Sequence, residues 1–147
     1  MTATGGCQCG AVRYAVDLDR LVGYACHCRE CQKQSASAFG LSVPILRESI
    51  RSRGGMAHYV RPTDSGSRTT CWFCPTCGSR IYHESARSSP YLTLKGGSLD
   101  DSAAMKLAAH LWVSRKLPWV EPDPGLPAFE TQPDDLDRWR EQLLSVR

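Results

Sequence analysis

The stretch CHCRECQKQSASAF, residues Cys26 to Phe39, carries three cysteines within six residues, spaced as CxC followed by CxxC. Such short spacings let several sulfurs of one turn reach a single ion, and cysteine thiolates are common zinc ligands. Three thiolates are one ligand short of a closed tetrahedron. We call Cys26, Cys28 and Cys31 the three-cysteine cluster. It predicts a metal site whose fourth position is either filled from elsewhere in the chain or left open for chemistry.

Four more cysteines form two distant pairs, and each pair is followed by a glycine. Glycine gives the permissive backbone that a tight turn around an ion needs. We expect the two pairs to combine into one Cys₄ site that ties the N-terminus to the middle of the chain and contributes folding free energy. A redox or catalytic role for these residues is the alternative. We call this set the four-cysteine cluster: Cys7 and Cys9 in GGCQCGAV, Cys74 and Cys77 in FCPTCGS.

The three-cysteine cluster has the ligand number of a catalytic zinc site, which keeps one exchangeable position. Zinc there would hold the thiolates deprotonated and would polarise a carbonyl or bind an incoming thiol. The alternative is a closed site, with Cys71 or His27 as fourth ligand, although we expect the His27 side chain to point away. A dithiol redox couple is a further alternative. The βαβ pattern typical of thioredoxin-type motifs is not evident in the sequence.

Composition narrows the class of protein. The chain has 147 residues, which suits one domain, and its net charge of +3 comes from scattered basic residues, so we do not expect nucleic-acid binding. We expect no membrane span and no export signal at MTATGGCQCG, and therefore a cytoplasmic location, where thiols stay reduced. Eight cysteines then indicate metal ligation, the alternative being a disulfide-stapled secreted domain.

Hydrophobic patterning predicts a single, mainly β domain. In one predicted strand Val12, Tyr14 and Val16 share a face, and Pro44 in another predicts an edge strand or a bulge. The eight predicted strands are AVRYAV (11–16), VGYACHC (22–28), FGLSVPIL (39–46), MAHYVRP (56–62), SRTTCWF (67–73), SRIYHES (79–85), YLTLKGG (91–97) and KLAAHLWV (106–113).

One segment, QPDDLDRWREQLL (132–144), predicts a short C-terminal helix. Asp134 or Asp135 would cap it, and Leu136, Trp139 and Leu143 would share one face. Several other side chains are interpreted as packing or backbone-bonding groups. These are Cys71 as a small core residue, the aromatic residues Trp112, Trp119 and Phe129, His110 as a structural histidine that could instead line a pocket, and Ser35 and Ser37.

Four motifs in this order, GGCQCGAVRY, CHCRECQKQSASAF, FCPTCGSRIY and HLWVSRKLPWV, resemble the glutathione-dependent formaldehyde-activating enzyme (GFA) family, also called the CENP-V/GFA domain. The resemblance runs from Gly5 to Phe129. It implies a mainly β, Mss4-like fold of antiparallel sheets that two Zn²⁺ ions hold together. Residues 1–130 would form the zinc-binding domain and residues 131–147 a helical tail.

The resemblance also implies roles for the cysteines. Cys7, Cys9, Cys74 and Cys77 match the structural zinc ligands, while Cys26, Cys28 and Cys31 match the catalytic zinc ligands. Cys71 is additional to the family's seven.

The implied reaction is a carbon–sulfur lyase reaction, in which glutathione and formaldehyde form or release S-hydroxymethylglutathione. The implied partners are thus a small-molecule thiol and an aldehyde. Glutathione carries two carboxylates, and Arg29, Lys33 or Arg80 could bind them, or could equally be solvated charges. The alternative function is a non-catalytic zinc-stabilised module that binds a protein or nucleic-acid partner.

Overall fold

The computed structural model describes residues 1–85 and 89–145. They form ten strands, two α-helices and four short 3₁₀ turns (47–49, 96–98, 102–104 and 113–115). The helices are α1 (Arg29–Ser35) and α2 (Leu136–Ser145). The strands are β1 (Thr2–Gly6), β2 (Arg13–Asp17), β3 (Val22–Cys26), β4 (Gly40–Leu46), β5 (Ile50–Arg53), β6 (Ala57–Pro62), β7 (Arg68–Phe73), β8 (Arg80–Ser85), β9 (Tyr91–Lys95) and β10 (Lys106–Leu111).

The strands form two sheets. The small sheet has the order β1-β2-β5, and the large sheet has the order β10-β3-β4-β9-β8-β7-β6. Neighbouring strands pair antiparallel, except that β10 runs parallel to β3. The prediction of a mainly β fold with antiparallel sheets and a short C-terminal helix is confirmed. All eight predicted strands are present, and the sequence interpretation missed β1 and β5.

The main core lies where the small sheet packs on the large one. The alternation predicted for β2 is confirmed, because Val12 and Val16 are fully buried and Tyr14 nearly so. They belong to the same apolar cluster as Ile45 of β4 and Leu94 of β9. Burying a Val or Leu side chain contributes about 1.5–3 kcal/mol. This contact therefore holds the N-terminal strands, and the cysteines that follow β1, against the large sheet.

A second apolar cluster lies where α2 packs on β3 and β10. The ring of Trp139 meets that of Tyr24 edge-on at a centroid distance of 5.3 Å, and Leu136 and Leu143 pack on the same cluster. The predicted helix face is thus confirmed. The cap is Asp135, whose Oδ1 accepts a hydrogen bond from the N–H of Arg138 at 3.0 Å.

Helix α2 also packs on the large sheet through Arg140. The Arg140 guanidinium, 6% exposed, donates to Oγ1 of Thr93 in β9 at 3.0 Å. Alternate strand residues face opposite ways, so Thr93 lies on the other face of the sheet from Leu92 and Leu94 of the main core. Helix α2 therefore covers the face that the small sheet leaves free. Residues 146 and 147 of the predicted tail lie outside the described residues.

Two sequence expectations are corrected. Strand β4, which contains Pro44, is an interior strand of the large sheet and not an edge strand. The pairing of β4 with β3 ends at Ser42, two residues before Pro44. Pro44 has no N–H to donate, but none of the β3–β4 pairs needs one from this position. Trp119 is not a core residue: it lies outside the strands in a proline-rich segment and is 72% exposed.

Neither helix of the described chain has the length and apolar character needed to cross a membrane.

Candidate metal centres

The four-cysteine cluster is assembled as predicted. The sulfurs of Cys7, Cys9, Cys74 and Cys77 all lie within 4.8 Å of one another. The Cys7–Cys9 and Cys9–Cys74 sulfur distances are 3.6 and 3.8 Å. A tetrahedral ion with metal–sulfur bonds of about 2.3 Å requires sulfur–sulfur distances of about 3.8 Å. The cluster therefore has the dimensions of a closed tetrahedral site.

Two similar turns place these sulfurs. In the first turn the N–H of Gly10 donates to the carbonyl of Cys7 at 3.1 Å, and in the second the N–H of Gly78 donates to the carbonyl of Cys74 at 2.8 Å. Both glycines have positive φ, +82° and +78°, which side chains with a Cβ rarely adopt. The glycine after each pair therefore lets the chain turn back around the site, as the sequence predicts.

Hydrogen bonds to sulfur favour the thiolate form of two cysteines in this cluster, Cys7 and Cys77. The backbone N–H of Val12 donates to Sγ of Cys7 at 3.1 Å and lowers the pKa of that thiol. The Ser79 hydroxyl lies 3.3 Å from Sγ of Cys77 and, with the Ser79 backbone N–H, lowers the pKa of Cys77 to about 5. Thiolates are the form that binds metal. The folded chain thus favours the metal-binding form of Cys7 and Cys77, whereas the pKa of Cys9 is raised to about 11.

The three-cysteine cluster forms at the junction of β3 and α1. Cys26 ends β3, Cys28 caps the helix by accepting the N–H of Cys31 on its sulfur at 3.3 Å, and Cys31 lies in the first turn. The three sulfurs lie within 4.8 Å of one another. Their mutual S–H···S interactions lower the pKa of Cys28 and raise that of Cys26. Of these two thiols, Cys28, the capping residue, is the one whose thiolate form the contacts favour.

Helix α1 is a feature that the sequence interpretation missed. It has seven residues, too few to show a hydrophobic period, and tertiary contacts hold it in place. The buried side-chain amide of Gln32 donates to the carbonyls of His27 at 2.7 Å and Arg115 at 2.9 Å. Its cap, Cys28, is not one of the residue types preferred at helix starts, so no local signal in the sequence predicts this helix.

Neither candidate fourth ligand joins the three-cysteine cluster. Cys71 lies in β7, 2% exposed, outside both cysteine clusters, which confirms it as a small core residue. His27 points away, as expected: its Nε2 lies 3.0 Å from Nδ1 of His110, and burial lowers the pKa of both imidazoles. Within residues 1–85 and 89–145, no His, Cys, Asp or Glu supplies a fourth ligand atom.

A cavity of about 780 Å³ lies between the two clusters. One wall includes Cys7 and Ser79, and another includes Gln34 and Gly40. The sulfurs of the three-cysteine cluster do not line it, but Cys31 lies directly behind Gly40. A Cβ added at Gly40 would lie 3.6 Å from Sγ of Cys31. Gly40 is therefore a point at which the cavity wall lies close to the three-cysteine cluster.

Polar side chains of the cavity connect it to the cluster. Gln34 donates through Nε2 to Sγ of Cys31, and its Oε1 accepts from Nη1 of Arg80, both at 3.4 Å. Ser35 lines the cavity and donates to the carbonyl of Cys31 at 2.7 Å, the backbone bond expected from sequence. Of the three predicted carboxylate binders, Arg80 lines the cavity, while Arg29 and Lys33 are exposed on α1 outside it.

Both clusters fit a soft metal ion. Sets of three or four thiolates in tetrahedral arrangement are typical of zinc and of iron–sulfur centres. The residues and their distances therefore support metal binding at two positions, one with four protein ligands and one with three.

The fold and these two clusters define a β-rich domain with two cysteine-built centres able to hold metal. The family model described as glutathione-dependent formaldehyde-activating enzyme matches residues 2–115. The chain belongs to this family. No protein of curated function matches the sequence. A crystal structure of a Rhodobacter sphaeroides protein is similar, with a TM-score of 0.52 and 22% identity, covering 86% of this chain and 98% of that chain. At this identity the likeness shows the fold alone.

Proposed function

We propose that the protein is a zinc-dependent enzyme of carbon–sulfur lyase type that forms or cleaves the S-hydroxymethyl adduct of glutathione, or another thiol, with formaldehyde or a similar small aldehyde. The observation that carries the proposal is the three-cysteine cluster, which lacks a fourth protein ligand among the described residues and lies behind the wall of a cavity. Family membership supports the glutathione and formaldehyde chemistry.

The two centres have different proposed roles. Cys7, Cys9, Cys74 and Cys77 would hold a structural zinc, since four protein ligands leave no position for a substrate. Cys26, Cys28 and Cys31 would hold the catalytic zinc, which would supply a Lewis-acid position for a thiolate or a carbonyl oxygen.

The protein's own residues would act mainly by positioning. The adduct forms when the thiol sulfur attacks the carbonyl carbon, the C=O π electrons move to oxygen, and oxygen takes the proton that the thiol loses. Holding the thiol and the aldehyde in one cavity replaces their encounter in solution. Gln34 donates to Sγ of Cys31 and so fixes the orientation of that ligand. Arg80 on the cavity wall would bind a carboxylate of the thiol.

We also propose a cytoplasmic location. Seven of the eight cysteines belong to the two clusters, and metal ligation requires reduced thiols.

The function can be tested by the rate at which the adduct exchanges with its components. Glutathione and ¹³C-formaldehyde equilibrate without a catalyst, so exchange NMR measures acceleration directly. We expect zinc-loaded protein to raise the exchange rate by about tenfold or more, because the bound reactants no longer need a bimolecular encounter. Protein stripped of its weakly held zinc is the control, and re-addition of zinc should restore the rate. An unchanged exchange rate with fully loaded protein would favour the non-catalytic binding module.

A further inference from the structure

Lys95 is a buried cation without a hydrogen-bond partner. It ends strand β9, is 8% exposed, and lines the cavity between the two cysteine clusters. Its Nζ forms no hydrogen bond within residues 1–85 and 89–145. An isolated buried ammonium is costly, and such groups are normally paired. This position therefore favours a ligand that supplies the missing negative charge.

The other charged residues that line the cavity do not supply a free carboxylate for Lys95. Among the described lining residues, three are cations and one is a carboxylate, Asp100. Asp100 forms an ion pair with Arg13. Arg80 and Lys95 therefore have no carboxylate partner on the cavity wall. The thiols of Cys31, Cys26 and Cys71 are near enough to act electrostatically on Lys95, and Arg80 is a nearby like charge.

Lys95 lies near the three-cysteine cluster, the proposed catalytic centre. Lys95 of β9 pairs with Ser42 of β4. Ser42 is two residues after Gly40, the lining residue closest to Cys31. A small thiol in this cavity could place its sulfur toward the three-cysteine cluster and an anionic group toward Lys95. A carboxylate is the anionic group that such thiols carry, and its oxygens accept ammonium hydrogen bonds.

We propose that Lys95 binds a carboxylate of the thiol substrate and so selects carboxylate-bearing thiols over neutral ones. This inference rests on the proposed function for the identity of the substrate, but it concerns binding alone. Lys95 acts as an anchor: its Nζ donates to the carboxylate, with Arg80 beside it on the same cavity wall. The sequence interpretation missed Lys95, because a lysine at the end of a strand normally extends into solvent.

The test is calorimetric titration of zinc-loaded protein with S-methylglutathione, whose capped sulfur cannot form the adduct. The diethyl ester of the same compound lacks both carboxylate charges. We expect the wild-type protein to bind the acid more tightly than the ester. Lys95→Met should weaken binding of the acid by about 10- to 100-fold, the usual effect of losing a charge-assisted hydrogen bond, and leave the ester unaffected. Lys106→Met, the same substitution at an exposed site outside the cavity, should bind the acid normally.

The melting temperature and the zinc content of Lys95→Met separate this role from the alternatives. If Lys95 serves ligand binding, Lys95→Met should melt no lower than wild type, because an unpaired buried charge is removed, and should retain both zinc ions. Equal binding of acid and ester by wild type, or unchanged binding of the acid by Lys95→Met, would overturn the proposal. So would loss of zinc by Lys95→Met without loss of preference for the acid, which would assign Lys95 to balancing thiolate charge. The exchange assay tests the function itself, so the two ideas can fail separately.

Discussion

Replacement of Cys74 by serine is expected to abolish most of the folded state. Cys74 is fully buried and lies in the four-cysteine cluster, which links the turn after β1 to the turn after β7. Structural zinc contributes about 10–16 kcal/mol in zinc-finger peptides. The whole free energy of unfolding of a domain is about 5–15 kcal/mol. Losing this ion therefore removes an amount comparable to the entire stability, and circular dichroism should show a largely unfolded chain.

The matched control is Cys71→Ser. Cys71 is three residues earlier and equally buried, but it lies outside both clusters. The same chemical change there should lower the free energy of unfolding by only about 1–3 kcal/mol, the cost of a poorly satisfied buried hydroxyl. That variant should remain folded with two zinc ions per chain. A Cys74→Ser protein as stable as Cys71→Ser would show that the four-cysteine cluster has no structural role.

Replacement of Cys28 by serine is expected to leave the fold and remove the activity. Cys28 caps α1 by accepting the N–H of Cys31, and serine is a preferred capping residue that can accept the same hydrogen bond. A neutral hydroxyl is a poor substitute for a thiolate as a zinc ligand. We therefore expect one zinc per chain, a change in unfolding free energy within about 1 kcal/mol, and adduct exchange at the uncatalysed rate.

Cys28→Ala separates the two roles of this residue. Alanine provides neither a ligand nor a cap, so this variant should be less stable than Cys28→Ser by about 1 kcal/mol, with the same loss of exchange activity. Unfolding of the Cys28→Ser protein would contradict the assignment, because it would give the three-cysteine cluster the structural role proposed for the other cluster.

The grouping of the cysteines was predictable from sequence because it depends on short-range chain geometry. The pairs Cys7–Cys9 and Cys74–Cys77 are each followed by a glycine with positive φ, and Cys26, Cys28 and Cys31 are close along the chain. The strands were predictable for the same reason, since the alternation of apolar and polar residues involves only neighbours along the chain. That the two distant pairs combine into one cluster was predicted only by assuming four ligands for one ion; in the structure the four sulfurs lie within 4.8 Å of one another.

What the sequence did not reveal depends on long-range packing. Helix α1 is held by the contacts of Gln32 with distant carbonyls, and β1 pairs with β2 without a hydrophobic pattern of its own. Pro44 suits an interior strand because the adjacent pairing stops before it. The burial of Lys95 depends on the pairing of β9 with β4 beside the cavity. None of these features has a local signal in the residues concerned.

The most direct test of the central claim is the order in which zinc leaves the native protein. Zinc-loaded protein would be titrated with a chelator of graded strength, while a colorimetric indicator counts released zinc and circular dichroism follows the fold. We predict two zinc ions per chain. The first should leave under mild chelation with the spectrum unchanged, because three thiolates hold it and its fourth position is exchangeable. The second should leave only as the chain unfolds. Simultaneous release of both ions, or a folded protein that binds no zinc, would contradict the division into one structural and one exchangeable centre.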